Sequence, residues 1–148
     1  MSTPEGSTVT LRGRPIGVRP RALAAFARKL QAQVAGGRAF DCLIAGDAEL
    51  RRLNRDFRGH DCATDVLSFP SARPPYLGDI AISLARARQQ AREHGHAAEV
   101  EIRILMLHGV LHLAGMDHAD DGGRMARAEK RWRTRLGLPH GLIERVLP

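Results

Sequence analysis

The sequence predicts one α+β domain over residues 1–148, a small mixed β-sheet packed against several helices, and three observations point to it. A chain of 148 residues suits one core that buries roughly two-thirds of the unfolded surface without staples. Segments of helical spacing mix irregularly with short apolar or β-branched runs, unlike the regular strand and helix repeat of a doubly wound sheet. Finally, the stretch Ala97 to Leu113 is apolar at almost every position from Ile104 onward apart from His108 and His112, so it must run through the core.

In chain order, Val9 to Leu11 is a weak strand candidate. Pro20 then opens a helix in which Leu23, Phe26, Leu30 and Val34 recur at helical spacing until Gly36 and Gly37 stop it. Phe40 to Ala45 reads as a short apolar strand. Asp47 is placed to cap a helix whose Leu50, Leu53 and Phe57 form one apolar stripe, and Gly59 ends it. Val66 to Phe69 and Leu77 to Ile82, bounded by turn residues and separated by the proline-bearing break Ser71 to Pro75, read as two strands. Ser83 caps the next helix, which carries Leu84, Ala87 and Ala91 and ends at Gly95. After the apolar helix, Arg124 to Leu136 forms a last one with Met125, Ala128, Trp132 and Leu136 facing inward.

Composition narrows the partners. Twenty-three basic residues against sixteen acidic ones give a net charge of +7, nearly all of it from arginine, since only Lys29 and Lys130 are lysines. An anionic partner, nucleic acid first, fits that balance, although an arginine-rich proteome would leave the same mark. One Trp, one Tyr and four Phe provide no platform for stacking bases, so any RNA contact should be mainly electrostatic. The stretch Met1 to Thr10 lacks a basic start followed by an apolar run, and Glu99, Glu101 and Arg103 argue against a membrane span in the apolar helix. A soluble, cytoplasmic protein with no membrane partner is expected. Cys42 and Cys62 form no CxxC pair and are expected to be buried or semi-buried thiols in a reducing compartment.

His108 and His112 stand at i and i+4, so on a helix they project from one face and can share an ion. Gly115 is placed to end that helix in a left-handed conformation, turning the chain so that His118 can swing back toward the pair. Three imidazoles with an open fourth position suit one catalytic Zn2+ per chain, and the burial cost of two imidazoles on so apolar a helix is met if a shared metal satisfies both. The plainer alternative is a pair of core histidines bonded to backbone carbonyls, with His118 on a polar loop. Asp117, Asp120 and Asp121 flank the site and read better as a solvated acidic loop than as acceptors orienting an imidazole.

The run HGVLHLAGMDH has the H-x-x-x-H-x-x-G-x-x-H spacing of metzincin proteases, but Gly109 stands where those enzymes need their glutamate. The spacing points to metal and the missing carboxylate points away from a peptidase. Upstream lie RGHDCATDVLSFP, Arg58 to Pro70, and LGDIAIS, Leu77 to Ser83. Together the three motifs resemble, in order and approximate spacing, those of the YbeY family of ribosomal RNA maturation factors. Ala63 stands where many relatives have proline, and both ends of the chain are generic.

The resemblance implies an α+β fold, zinc held by His108, His112 and His118, and a metal-dependent endoribonuclease that cuts single-stranded RNA in ribosomal RNA maturation and ribosome assembly or quality control. Small ribosomal subunit proteins are further partners that it suggests. It also implies that Arg58 is a functional, substrate-binding arginine. From position alone Arg58 reads as a surface residue complementing a helix dipole, although its planar, permanently charged guanidinium suits a phosphate. Asp65 and Ser68 are expected to hold the loop and strand in place, and His60 and Asp61 stay open. Two other functions stand beside this one, a zinc peptidase-like hydrolase and a non-catalytic ribosome assembly factor with a structural metal.

Overall fold

The computed structural model describes residues 6–115 and 122–139. Within them the elements run β1 (Thr8–Leu11), α1 (Pro20–Gln33), β2 (Phe40–Ala45), α2 (Asp47–Arg58), β3 (Val66–Pro70), β4 (Gly78–Ser83), α3 (Leu84–His94), α4 (Ala98–Leu113) and α5 (Arg124–Leu136). The four strands make one mixed sheet in the order β1-β2-β4-β3. β1, β2 and β4 are parallel, and β3 returns antiparallel along β4 with Ser68 opposite Ile80. The expected α+β fold with a small mixed sheet is what the chain adopts.

Strand alternation explains the layering, because successive side chains leave opposite faces of a sheet. Phe40, Cys42 and Ile44 of β2 and Ile80 and Ile82 of β4 join the main core with α1, α3, α4 and α5. On the other face Ala45, Leu67 and Ala81 pack with Leu50 of α2, with Leu43, Leu53 and Phe69 at the margin. α4 lies inside the main core with Ile102, Met106, Leu107, Val110 and Leu111 almost wholly buried, each contributing about 1.5 to 3 kcal/mol by its removal from water. Its two early glutamates are also buried. Glu99 accepts from the Arg19 backbone N–H at 2.9 Å and from its guanidinium at 2.8 and 3.1 Å, and Arg103 adds a contact at 3.1 Å. These donors, the Arg19 side chain foremost, hold the Glu99 carboxyl down at about 2. Among the described residues, no helix is long and apolar enough to cross a membrane.

Three local expectations change. Asp47 is the first residue of α2 and Gly46 is its cap, because Asp47 turns its carboxylate to α3, where it accepts from Ser83 Oγ at 2.6 Å and Arg86 Nε at 3.2 Å. Phe57 is 69% exposed and meets Phe69 edge to face at 5.8 Å, since of the apolar stripe only Leu50 is fully buried, while Leu53 packs at the margin of the second core cluster. Cys62 is exposed, because it lies in the loop after α2 and outside both core clusters, while Cys42 is buried as expected. Ser83 does cap α3, its Oγ accepting from the Arg86 N–H at 3.1 Å.

Gly78 sets the spacing of the β3–β4 pair. With φ at +147° it brings its Cα so near β3 that a Cβ would sit 2.4 Å from the Phe69 carbonyl oxygen, which no side-chain-bearing residue tolerates.

Candidate active site

α4 carries His108 and His112 one turn apart on the same face, with ring centroids 4.8 Å apart and planes at 64°. Gly115 follows with φ at +99°, the positive-φ turn its position predicts. His118, with Asp117, Asp120 and Asp121, lies outside the described residues.

Arg58 is the last residue of α2. Buried Asn54 fixes that end by donating from Nδ2 to the Cys62 carbonyl at 2.9 Å, and Gly59 caps the helix in the left-handed region at φ +75°. Arg51 clasps Asp61 through two contacts at 2.8 and 3.2 Å, holding that carboxyl below its usual range. Asp61 is thus a clasp on the loop, and His60 is exposed with its backbone N–H bonded to the Asn54 carbonyl at 3.2 Å. Arg52 and Arg55 on the same helix pair with carboxylates, and Arg58 lines one opening with the histidines.

Between α2 and α4 runs β3, and the three elements bound a cleft of about 330 Å³ lined by Arg58, Val66, Ser68, Pro70, His108 and His112. Ser68 Oγ donates to the Gly109 carbonyl at 3.3 Å, tying β3 to α4 between the two histidines. Asp65 accepts from Gln90 Nε2 at 3.2 Å, and its carbonyl accepts from the Ser83 N–H at 2.8 Å. Both residues therefore brace the scaffold, as their place in the sequence suggests. The basic and imidazole groups from two separate motifs thus share one opening, which suits an anionic ligand.

His108 is further engaged through Nδ1 by the carboxylate of Glu129 on α5, and Glu129 in turn accepts from Arg133 at 3.0 Å. Glu129 and Arg133 are both buried. A ring that gives one nitrogen to a carboxylate keeps the other for a metal, so two adjacent imidazoles, one of them so oriented, fit part of a zinc donor set. Among the described residues, no group of three or more His, Cys, Asp or Glu is arranged to hold an ion, and the third candidate ligand falls outside them.

Glu129 escaped the reading of the sequence. Its only sequence signal is a Glu and Arg at i and i+4 on the side of α5 that also carries Met125 and Ala128, where a solvated pair is not expected.

A family model described as Endoribonuclease YbeY matches residues 19–137. The chain is 68% identical over 146 residues to "Endoribonuclease YbeY" of Solibacter usitatus, covering 99% of each chain. It is 46% identical over 139 residues to the protein of the same name from Koribacter versatilis, covering 93% of this chain and 91% of that one. Among solved structures it is similar to the solution structure of TM1509 from Thermotoga maritima, with a TM-score of 0.58 and 26% identity over 86% of this chain and 93% of that one.

Proposed function

The chain belongs to the YbeY family of endoribonucleases, and from that premise we propose that it is a zinc-dependent enzyme cutting single-stranded RNA during ribosomal RNA maturation and ribosome assembly or quality control. The observation that carries this reading is the shared cleft, where Arg58 of one motif lines the same opening as His108 and His112 of another.

Arg58 binds and orients the scissile phosphate, because its guanidinium offers paired donors and stays charged at any working pH. It also offsets charge that grows on the phosphoryl oxygens as the bond breaks. His108, His112 and His118 would hold the zinc, which when bound supplies Lewis acidity toward the phosphate and the attacking water. The net charge of +7 favours a polyanion. This role places the protein in the cytoplasm with ribosomal RNA, and small ribosomal subunit proteins are the protein partners it suggests.

A peptidase fits less well, since position 109 has no carboxylate and faces Ile80 in the core. The deciding experiment is metal analysis of untagged protein together with cleavage of RNA and of a peptide library before and after chelation. About one zinc per chain and RNA cleavage that chelation abolishes are expected. Zinc with no RNA turnover would favour the assembly factor with a structural metal, and peptide turnover would favour the protease.

A further inference from the structure

We propose that Glu129 is a positioning residue that acts through His108, holding the proton of that imidazole on Nδ1 and thereby keeping Nε2 as an unprotonated donor. The inference rests on the metal-site reading above, and it concerns a residue on an element outside all three motifs.

Three observations carry it. First, the Glu129 carboxylate engages His108 at Nδ1, and a carboxylate in contact with a neutral imidazole can only accept, so the proton of that contact belongs to the ring nitrogen. Nε2 is then the nitrogen with a lone pair, the form that binds a metal. Second, Glu129 is itself held. Arg133, one turn along α5, donates from Nη2 to Glu129 Oε2 at 3.0 Å, so the two carboxylate oxygens face two different partners. Third, the arrangement is buried. Glu129 is 5% exposed and Arg133 3%, which strengthens each contact above its value in water and limits the angles the carboxylate can sample.

An ion pair at i and i+4 needs no such burial for helix stability, because surface pairs of that spacing form without desolvation. Taking two charges out of water costs several kcal/mol per ion unless the geometry is good and other groups are satisfied. The third partner, His108, is what this pair serves.

The test uses the full chain and two readouts that do not depend on turnover. The first is the tautomer of His108 in metal-free protein, read by long-range nitrogen–proton correlation NMR at a pH where the ring is neutral. The second is zinc affinity, measured by competition with a chromophoric chelator. Wild type is expected to show the Nδ1–H tautomer. Glu129→Gln is expected to mix the two tautomers and weaken zinc by about 10- to 100-fold, the usual cost of losing such a partner. If Glu129→Gln fails to fold because Arg133 loses its counter-charge, the double variant Glu129→Gln, Arg133→Met removes both charges and carries the same expectation.

A wild-type ring protonated on Nε2 would overturn the proposal, as would folded variants with unchanged tautomer and zinc affinity. The two failures separate cleanly. Wild type that binds no zinc sinks the metal-site reading, while the tautomer still reports whether Glu129 governs His108. Wild type that binds zinc as tightly as the variants leaves the metal site standing and removes Glu129 from it.

Discussion

Gly109 packs so closely on Ile80 that a Cβ at position 109 would lie 3.0 Å from both Cδ1 and Cγ2 of the isoleucine. α4 can cross the sheet at this depth because glycine stands there, and the side that a metzincin would use for its glutamate points into the core. Gly109→Glu should therefore fail to create a peptidase and should destabilise the fold by about 3 kcal/mol or more, through overpacking and a buried charge. Urea unfolding and a peptide-cleavage assay check both halves, and a variant as stable as wild type would contradict the packing described.

The two cysteines should differ sharply in reactivity. Burial pushes the Cys42 thiol up to about 12, with Asp41 adding to the shift, while Cys62 is exposed. Titration with a chromogenic disulfide reagent should give one fast equivalent in native protein, a second only after denaturation, and no fast phase in Cys62→Ser. Two fast equivalents would place Cys42 nearer the surface than it is.

Glu99 should shape the acid limb of the stability curve. Its folded carboxyl sits at about 2, below an ordinary value of 4.5. A depressed folded value means stability that is fully present above the unfolded value and is lost as pH falls from about 4.5 toward 2. Glu99→Gln should flatten the curve in that window, and added salt should shrink the difference because the Arg19 side chain is mostly exposed. Curves that stay parallel through the window would refute the pairing.

RNA binding should weaken steeply with salt. A basic chain with four Phe, one Tyr and one Trp relies on phosphate contacts, so a log–log slope of about −2 or steeper is expected, the value for three contacts at about −0.7 each. Fluorescence anisotropy across a salt series measures it. A flat dependence with strong preference for one short sequence would point to base readout instead.

What the sequence discloses and what it hides follow from distance along the chain. Helical spacing is local, so His108 and His112 could be placed on one face of α4 from residues alone, and a short, largely apolar run between turn residues marked β3. Caps are nearly local, and there the reading divides. Ser83 caps α3, but Asp47 serves Ser83 and Arg86 across 36 and 39 positions instead of its own helix. The contact between His108 and Glu129 joins residues 21 apart on two helices, and nothing short of the packing of α5 on α4 discloses it. Arg58 sits between these cases. Position alone made it a helix-end arginine, resemblance marked it as functional, and the fold sets it in the cleft with the histidines.

If RNA is cut in the cleft between α2 and α4, Arg58→Ala should show it, because that variant leaves the histidines untouched. The measurement is the rate of RNA cleavage at matched zinc content and matched thermal midpoint for wild type, Arg58→Ala and Arg58→Lys. If the guanidinium stabilises charge on the phosphate, Arg58→Ala should lose tens to about a thousand-fold in turnover, about 2 to 4 kcal/mol, with Arg58→Lys recovering only part. Full activity in folded, zinc-loaded Arg58→Ala would contradict this and reduce Arg58 to a surface residue.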